Sequence, residues 1–438
     1  MQTDVPNFFE WCFRKMPSRL AQYSLCAFLA VISLAACPIR SFAFTTNRIH
    51  IMAFEGSDAI ILESNGQFGM VDSGEDDDYP DGSDPRYPLR PGTTIGWGTE
   101  DEVIEYMRNI GVTSDNFQFY IGTHPHSDHI GSADEVIRAF RPKRVYIPEY
   151  KDEYITNDSA LWDNRYVYDR MLEAAYEVGA TIITELDPAA PIVPSNPVQP
   201  FDQGVDYLFN DPRGSHEGPE IKDGLMPQHD PVPNGSTQGA GYQRVDPEVL
   251  DGTTLLGAVG SPNFQLGSMT IEIKNYGTDY QVDHVDDANW FSWGVKVDVD
   301  GKSAFLGGDI GAYDGDEDRL GAELGHVDVL KLGHLGLGTS NTTSFLSSLS
   351  PCYAVQTGDY ADLPLNRIEL FDLLETRLYC THSVSKAGDK SVVFSFADDG
   401  VTAKVPSGLI LEKRMDAPIQ TAYQNGRKLT LDGWQLTA

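Results

Sequence analysis

Basic residues are scarce in this chain. Lysine and arginine number 32 against 65 aspartates and glutamates, which gives a net charge of −33 at pH 7 over 438 residues. Such an acidic surface repels polyphosphates, and this weighs against a dedicated nucleic-acid-binding protein. It does not exclude one, because bound metal ions can reverse the field locally. Hydrophobic residues still make up 41% of the sequence, which is enough for a sizeable core.

The sequence also has little that could span a membrane. Its apolar run at 25–36 (LCAFLAVISLAA) is too short for a comfortable span but has the length of a signal-peptide core. A basic stretch precedes this run, and SFA at 41–43 resembles a cleavage site. We therefore expect residues 1–43 to direct export. LAAC at 34–37 allows a second interpretation, lipidation of Cys37, and an uncleaved anchor helix is a third.

Cysteine is rare, and three of the five cysteines lie within 1–43. Only Cys352 and Cys380 remain in the body of the chain. In an exported protein these two could form a disulfide, but the sequence does not show whether their side chains meet. We expect two unpaired, buried thiols.

Metal-ligating residue types are concentrated in one short stretch, 123–132 (THPHSDHIGS). Within it, His124, His126, Asp128 and His129 form an H-x-H-x-D-H cluster. A single histidine is usually structural or merely exposed. Three imidazoles and a carboxylate at this spacing indicate instead a site for Zn²⁺ or a similar metal.

The cluster is predicted to lie on a loop between a strand and a helix. Residues 117–122 (FQFYIG) are typical of a short buried strand. Residues 132–140 (SADEVIRAF) predict a helix, with Ser132 as its N-cap and Glu135 three residues later. Consecutive side chains on such a loop can converge on one point.

Alternating apolar patterns predict strands on both sides of the cluster. Residues 49–62 and 67–71 predict a hairpin with an Asn-Gly turn, and 291–299 and 302–307 predict another with an Asp-Gly turn. Strand pairs with intervening helices occur twice, which predicts an α+β fold of two packed mixed sheets flanked by helices. Further strands are predicted at 144–147, 181–186, 268–275, 327–332, 353–356, 377–380 and 391–396, and further helices at 100–110, 157–179, 344–349 and 367–374.

Three other segments interrupt this pattern. Residues 75–90 form an acidic, proline-rich loop without the D-x-D-x-D-G register of a calcium loop. Residues from about 187 to 252 are too long and too rich in Pro, Gly, Asn and Asp for an ordinary connection, so we expect an inserted surface lobe. The tail at 406–438 ends in a further predicted hairpin at 426–435.

Several motifs resemble a known superfamily. Asp72, the HPHSDH cluster, the pair Gly308-Asp309 and His334 occur in the order seen in metallo-β-lactamases. The stretches ILESNGQFGMVDSG, LWDNRYVYD, DDANWFS and FLGGDI more narrowly resemble the catalytic domain of bacterial teichoic-acid phosphorylcholine esterases. A looser similarity is to the hydrolase domain of competence-type DNA-uptake proteins. The resemblance implies one hydrolase domain of αββα fold over 44–405.

The resemblance also implies a centre with two divalent ions, expected to be Zn²⁺. Two such ions can activate water and stabilise both oxygens of an in-line displacement at phosphorus. Asp72 would orient the ligating histidines, and Asp128 would also assist proton transfer. The implied ligands are His124 and His126 for one ion, Asp128, His129 and His334 for the other, and Asp309 as a catalytic bridge between the two.

A further histidine ligand that many superfamily members have is missing here. The nearest candidate is His284, in the stretch QVDHVDDAN, and it does not clearly occupy that position. We therefore expect an open coordination position filled by water or substrate. Asp286, Asp287 and Asn289 are close enough in sequence to reach the site.

A phosphorylcholine substrate would need a site for its quaternary ammonium. Aromatic rings can supply one, at about 0.5–2 kcal/mol per cation–π contact. We expect Trp290 and Trp293 to bind the substrate, with Asp287 and Asn289 as further contacts. The other aromatic candidates, each of which could equally be a core residue, are Trp162, Tyr166, Tyr168 and Tyr313.

The expected activity is phosphodiester hydrolysis that releases phosphorylcholine or a similar head group from a cell-envelope or lipid-like substrate. The protein would be secreted or held at the cell surface. Two alternatives stay open: a nucleic-acid phosphodiesterase of the competence type, and a non-catalytic envelope-binding module. Hydrolysis of β-lactams or thioesters is suggested only by analogy with other members of the superfamily.

Overall fold

A computed structural model describes residues 46–76, 98–194, 257–277, 284–359 and 362–405, together with the backbone of 410–413 and 434–437. All of them belong to one compact unit, Thr45–Ala438. The predictions for the export segment 1–43, and for most of the acidic loop, the inserted lobe and the C-terminal hairpin, therefore lie outside the described residues. Within the described part, no helix is both long and apolar enough to cross a bilayer.

Two large β-sheets form the centre of the fold. The first contains β1 (Asn47–Met52), β2 (Ala59–Ser64), β3 (Gln67–Ser73), β4 (Phe117–Ile121), β5 (Arg144–Tyr146), β6 (Thr181–Leu186), β7 (Ala258–Gly260), β15 (Ser391–Ala397) and β16 (Gly400–Lys404). The second contains β8 (Asn263–Leu266), β9 (Met269–Lys274), β10 (Gly294–Val299), β11 (Lys302–Leu306), β12 (Val329–Lys331), β13 (Tyr353–Gln356) and β14 (Arg377–Cys380). A separate antiparallel pair joins β17 (Ile410–Lys413) to β18 (Trp434–Thr437).

Helices connect these strands. In chain order they are α1 (Glu100–Asn109), α2 (Ser127–Ile130), α3 (Ala133–Phe140), α4 (Asn164–Glu177), α5 (Asp316–Leu324), α6 (Thr343–Leu349), α7 (Leu365–Leu373) and α8 (Thr381–Lys386). Short 3₁₀ turns lie at Asp152–Tyr154, Asp158–Ala160, Ala288–Phe291, Tyr313–Gly315 and Gly333–Gly336.

Three apolar clusters define the layers. One packs α1, α3 and α4 onto the outer face of the first sheet, and a second fills the space between the sheets. A third packs α5, α6 and α7 onto the outer face of the second sheet. Their members include Met70, Tyr120 and Ile137 in the first, Ile121, Tyr146, Ile271 and Val295 in the second, and Leu330, Leu320 and Phe345 in the third. The αββα sandwich predicted from the sequence is confirmed.

Each sheet is antiparallel on one side and parallel on the other. In the first sheet β3 to β7 run parallel, and in the second β11 to β14 do. The carboxyl ends of parallel strands meet at one edge of a sheet, where ligands commonly bind. Asp72 lies at the end of β3 and the H-x-H-x-D-H cluster follows β4, while Asp309 and His334 follow β11 and β12.

One predicted strand is wrong. Residues 49–62 form two strands, β1 and β2, which pair antiparallel with Ile49 opposite Leu62. The chain reverses around Gly56, whose φ of +80° is a backbone conformation that favours glycine. Buried Ala53 and Phe54 extend the apolar pattern across the reversal, so the sequence pattern did not indicate a turn there. The reversal matters because it carries Asp58 to the edge of the sheet.

Other boundaries also differ from prediction. Ser132 is the N-cap residue of α3, as predicted, but its side chain makes no capping hydrogen bond. Its hydroxyl donates instead to the Glu75 carbonyl at 2.7 Å, and Glu135 pairs with Arg170 at 2.8 Å. The long helix predicted from 157 begins only at Asn164. Strands β7, β8, β16 and β17 and helices α2, α5 and α8 were not predicted from the sequence.

The two body cysteines are unpaired. Cys380 is buried as expected, but Cys352 is exposed, so the prediction of two buried thiols is wrong for Cys352. Cys352 immediately precedes β13 and Cys380 ends the neighbouring β14. The parallel register places Gln356 opposite Cys380, so the two thiols lie toward opposite ends of the pair.

Candidate metal centre

The first group of ligand atoms comes from the loop after β4 and from the end of β11. The Nε2 atom of His124 lies 3.7 Å from Oδ2 of Asp309 and 3.1 Å from Nδ1 of His126. One ligand atom from each of these three residues falls within 4.8 Å of the others, and all three residues are buried. The arrangement therefore offers two imidazoles and a carboxylate to one ion.

The second group shares Asp309 with the first. His129 Nε2 lies 3.0 Å from Oδ1 of Asp309 and 3.7 Å from Oδ2 of Asp128. His334 approaches from β12, with its Nε2 atom 3.7 Å from Asp309 Oδ2. Asp309 thus directs one oxygen to His129 and the other to His124 and His334. Asp309 therefore lies between His124 and His129, as a carboxylate shared by two ions would.

Buried atoms without hydrogen bonds mark the centre of the site. The Nε2 atoms of His126 and His129 and the Oδ1 atom of Asp309 are buried and have no hydrogen-bond partner. The last two lie 3.0 Å apart but are not aligned for a hydrogen bond. Leaving such atoms unsatisfied costs about 1–3 kcal/mol each. The donor set of imidazole nitrogens and carboxylate oxygens fits divalent ions of the Zn²⁺ type.

Asp72 orients the histidines from behind. Its Oδ2 atom accepts hydrogen bonds from His129 Nδ1 at 2.8 Å and from the Thr123 hydroxyl at 2.8 Å, and Oδ1 accepts from the Thr123 amide at 2.7 Å. The same hydroxyl lies 3.0 Å from Nδ1 of His124. Asp72 therefore fixes the His129 ring directly and reaches His124 through Thr123. Both Nε2 atoms are left to face the centre.

The imidazoles are strongly perturbed. Burial holds the pKa of His124 well below its ordinary value and lowers that of His126 to about 3, so both are neutral, as metal ligands must be. Burial also opposes charge on His129, but the carboxylates of Asp309, Asp128 and Asp72 raise its pKa well above the usual range.

The carboxyls are perturbed in opposite directions. Burial would favour a neutral Asp309, yet the imidazoles of His129 and His334 hold its pKa well below the ordinary value. Burial raises the pKa of Asp128 to about 7. His129 and Asp309 thus form a buried ion pair in the metal-free protein, and a bound ion would take the place of the imidazole proton.

Sequence reasoning missed a buried ion pair beside the centre. Lys331 on β12 contacts the carboxylate of Asp58, both are fully buried, and Asp58 Oδ2 lies 3.7 Å from His129 Nδ1. The Lys331 ammonium also donates to the Gly308 carbonyl at 3.0 Å, next to Asp309. A lysine within the buried strand pattern VLKL was the available signal, because lysine is almost never buried unless it is paired.

Of the predicted substrate contacts, Asp287 and Asn289 lie beside histidines of the site, whereas Trp293 does not. Asp287 Oδ1 lies 3.7 Å from His126 Nε2, and Asn289 Nδ2 lies 3.4 Å from His334 Nε2. Trp293 is only 5% exposed and packs between the two sheets, so it belongs to the core and not to a substrate site. His284 is exposed and joins none of the metal-ligating clusters found among the described residues.

Three aromatic rings remain at the rim of the centre. Trp162 packs edge-on against His126 with ring centroids 4.8 Å apart, and Trp290 stacks on Tyr313 at 4.9 Å. The other two candidates, Tyr166 and Tyr168, are buried in the core under the first sheet. Aromatic surface thus lies against His126, from Trp162, and on the stacked pair of Trp290 and Tyr313.

Comparison with known families agrees with this geometry. Residues 53–227, which contain the H-x-H-x-D-H cluster, match the model of the metallo-beta-lactamase superfamily. This stretch is a metallo-β-lactamase superfamily domain. Members of the superfamily are mostly metal-dependent hydrolases that bind two metal ions, in keeping with the candidate His/Asp sites. No curated protein matches the sequence.

Solved structures show only weak similarity. The chain matches the metallo-beta-lactamase fold protein YhfI from Bacillus subtilis with a TM-score of 0.36 and 10% identity, covering 80% of this chain and 99% of that one. CmlA, a diiron beta-hydroxylase from Streptomyces venezuelae, matches with a TM-score of 0.34 and 11% identity, covering 76% of this chain and 52% of CmlA. The short form of human tRNase Z matches with a TM-score of 0.33 and 10% identity, covering 71% of this chain and 92% of that one. The chain spans about half of CmlA, and no inference about activity rests on these matches.

Proposed function

We propose that the protein is an exported, binuclear metal-dependent phosphodiesterase that releases phosphorylcholine or a similar head group from a cell-envelope or lipid-like substrate. The observation that carries the proposal is the convergence of the H-x-H-x-D-H cluster, Asp309 and His334 on one buried centre at the edge of the two sheets. Two divalent ions, which we propose to be Zn²⁺, would activate water there and stabilise charge on phosphoryl oxygens.

The superfamily resemblance supplies the ligand assignment, and the distances bring the proposed ligands around Asp309. His124 and His126 would hold one ion, while Asp128, His129 and His334 would hold the other, with Asp309 shared between them. The hydrogen bonds from Thr123 and His129 to Asp72 keep the ring orientations fixed before any ion arrives. Such preorganisation lowers the cost of assembling the site.

Asp128 is the residue to which we assign proton transfer. Its side chain is 26% exposed, so it is the most accessible carboxylate of the cluster, whereas Asp309 is 2% exposed. Burial raises its pKa to about 7. A bound ion would lower this pKa, so in the metal-loaded site Asp128 would be a carboxylate that can accept a proton.

The rim supports a cationic head group. Trp162, Trp290 and Tyr313 offer ring faces or edges, and Asn289 lies beside His334. We propose that Trp290 and Asn289 contact the substrate, with the quaternary ammonium held against the aromatic surface. The net charge of −33 favours a cation and disfavours nucleic acid as substrate.

We propose that residues 1–43 direct the protein out of the cytoplasm, with Cys37 as the candidate lipid attachment point. The basic and apolar segments of that stretch support export, and LAAC supports lipidation. An envelope or lipid-like substrate would then be encountered at the cell surface or in the medium.

The test measures p-nitrophenol release from p-nitrophenyl-phosphorylcholine by metal-loaded protein. Wild type should turn over, and Asp309→Ala should lose at least a hundredfold in kcat because the bridging carboxylate is gone. The exposed Asp115→Ala serves as the matched control and should keep wild-type activity. Near-UV circular dichroism confirms that each variant is folded.

Three outcomes would contradict the head-group proposal. Folded, metal-loaded protein that releases no p-nitrophenol would reject it. Cleavage of labelled DNA or RNA by the same preparation would point to a nuclease, and binding of choline without turnover would point to a binding module.

A further inference from the structure

Another group of metal-ligating side chains lies at the opposite edge of the second sheet from the centre described above. One ligand atom each from His326, Asp328 and Cys352 falls within 4.8 Å of the others. Asp328 immediately precedes β12 and Cys352 immediately precedes β13, so the group lies at the amino ends of two parallel strands. The binuclear centre takes its ligands from the carboxyl ends of the strands, so the two groups are separate.

Strand pairing fixes the backbone that carries this group. Val329 on β12 pairs with Tyr353 on β13 in parallel register, so the residues just before them, Asp328 and Cys352, are neighbours. The Asp328 amide donates to the Ser303 carbonyl at 2.8 Å, and the Tyr353 amide donates to the Asp328 carbonyl at 2.9 Å. Only side chains would therefore have to move to surround an ion.

Hydrogen bonding leaves one nitrogen of His326 free for a ligand. Its Nδ1 atom lies 3.0 Å from the Ser350 carbonyl oxygen, and Nδ1 must donate in this pair because a carbonyl can only accept. In the neutral ring Nε2 then carries the lone pair, and it lies 3.9 Å from Oδ1 of Asp328. One ring nitrogen bound to a carbonyl, with the other facing a possible ion, is typical of metal-binding histidines.

Asp328 is oriented in a similar way. Its Oδ2 atom accepts a hydrogen bond from the Ser303 amide at 2.8 Å, while Oδ1 lies toward His326. The side chains of His326 and Asp328 are 58% and 22% exposed, so an ion can reach both from solvent.

Cys352 adds a sulfur donor to the group. Its thiol is unpaired and exposed. Desolvation and the nearby carboxylate of Asp328 raise the pKa of this thiol, so it stays protonated at neutral pH when no cation is bound. A divalent ion would stabilise the thiolate and offset the charge of Asp328.

The distances require a small contraction. Ligand atoms of one tetrahedral zinc ion lie about 3.5 Å apart, because each is about 2.0–2.3 Å from the metal. The Nε2–Oδ1 separation of 3.9 Å and the limit of 4.8 Å for the whole group are somewhat wider. Rotation of the exposed His326 and Cys352 side chains can supply the difference.

We propose that His326, Asp328 and Cys352 form a mononuclear site for Zn²⁺ or a similar thiophilic ion, with water as the fourth ligand. The thiolate favours such an ion over Mg²⁺ or Ca²⁺, which prefer oxygen ligands. The thiol proton passes to solvent as the sulfur–metal bond forms. The bound ion would tie the loop after α5 to the loop after α6 where β12 and β13 begin. This site does not depend on the proposed phosphodiesterase function.

Absorption of Co²⁺ tests the site without reference to turnover. Co²⁺ bound to a thiolate gives a charge-transfer band in the near ultraviolet, which imidazole and carboxylate ligands do not give. None of the ligands proposed for the binuclear centre is a cysteine, so the band distinguishes the two sites. Full-length wild type titrated with Co²⁺ should develop the band, Cys352→Ser should lose it, and Cys380→Ser, with its thiol buried, should keep it.

The other two ligands are tested by affinity. His326→Ala and Asp328→Asn should each need at least about tenfold more Co²⁺ to reach half of the band. The exposed His284→Ala is the matched control and should titrate as wild type does. Zn²⁺ added to the cobalt-loaded wild type should displace Co²⁺ and remove the band.

Alkylation of Cys352 by iodoacetamide, resolved by peptide mass spectrometry, gives an independent measurement. Zn²⁺ should slow this reaction at least about fivefold, because a metal-bound thiolate is not free to react. The slowing should persist in Asp309→Ala, which impairs the binuclear centre, and should be lost in His326→Ala. A wild type without the cobalt band, a band that survives in Cys352→Ser, or equal protection in His326→Ala would overturn the proposed site.

Discussion

At the scale of single residues, Asp72 shows how a buried carboxylate can serve a metal site without contacting the metal. It occupies a left-handed backbone conformation with φ of +54° at the end of β3, which is uncommon for a residue other than glycine. It accepts hydrogen bonds from His129 and twice from Thr123. Burial raises the pKa of Asp72, while its interactions with His129 and Thr123 oppose that rise and favour the charged carboxylate.

The substitution Asp72→Asn tests this role. The amide keeps the shape but loses the charge that holds the His129 Nδ1 proton, so the affinity of the second ion should fall about 10–100-fold. Chelator competition measures the change, with Asp115→Asn as the exposed control. Unchanged affinity in folded Asp72→Asn would contradict the orienting role.

The pH dependence of metal binding follows from Asp128 and His129. Burial raises the pKa of Asp128 to about 7, and the carboxylates around His129 raise its pKa well above the usual value. Metal binding must displace these protons, so affinity should fall as pH drops through the raised pKa of His129 and further below about 7 as Asp128 is protonated. Each proton released should contribute up to about tenfold per pH unit. His126, with a pKa near 3, should contribute nothing above that pH.

Titration calorimetry in buffers of different ionisation enthalpy measures the protons released on Zn²⁺ binding. At pH 6 we expect at least one proton per chain. No proton release at that pH would contradict the buried His129–Asp309 ion pair of the metal-free protein.

At the scale of elements, most strands and helices could be predicted because each has a local apolar period. The Asn65-Gly66 and Asp300-Gly301 turns were predicted correctly because such pairs accept the positive φ that both residues of each turn adopt. The reversal between β1 and β2 failed because buried Ala53 and Phe54 continue the apolar pattern across it. Ser132 is the predicted N-cap residue, but the capping hydrogen bonds are absent because the Ser132 and Glu135 side chains bond to Glu75 and Arg170.

Arg170 on α4 holds three elements together. Its guanidinium lies 2.7 Å from Asp134 and 2.8 Å from Glu135, both on α3, and 3.5 Å from Asp76 after β3. Although burial opposes ionisation of Asp134, Arg170 and Arg138 lower its pKa to about 2. Asp134 therefore contributes stability above its unfolded pKa of about 3.9, and that contribution is lost as pH falls toward 2.

The substitution Arg170→Met should destabilise the fold by about 3–5 kcal/mol, because it leaves buried carboxylates without their partner. Urea denaturation at pH 7 measures the free energy of unfolding. Lys390→Met removes an exposed ion pair with Glu102 and should cost under about 1 kcal/mol. Equal effects of the two substitutions would contradict the importance of burial at Arg170.

At the scale of the whole molecule, the layered architecture could be predicted from local apolar patterns, and short motifs identified the residues that the structure brings together as candidate ligands. The Asp58–Lys331 ion pair could not be predicted, since it joins the first sheet to the second across most of the chain. No local pattern relates residues so distant in sequence.

A double-mutant cycle tests the ion pair between the sheets. Lys331→Met alone should cost about 3–5 kcal/mol, because Asp58 would be left charged and buried near Asp72. The double substitution Asp58→Asn with Lys331→Met should recover a large part of that loss. The free energy of unfolding of the metal-free protein is the measurement, and additive losses would show that the two residues do not interact.

The central claim is that two ions bind between the carboxyl ends of the two sheets. Crystals of the Zn²⁺-loaded protein measured on both sides of the zinc absorption edge test it most directly. Two anomalous peaks should appear, one beside His124 and His126 and one beside His129 and His334, with Asp309 between them. A folded protein with no peak at this edge, or with zinc only at the exposed cluster of His326, Asp328 and Cys352, would contradict it.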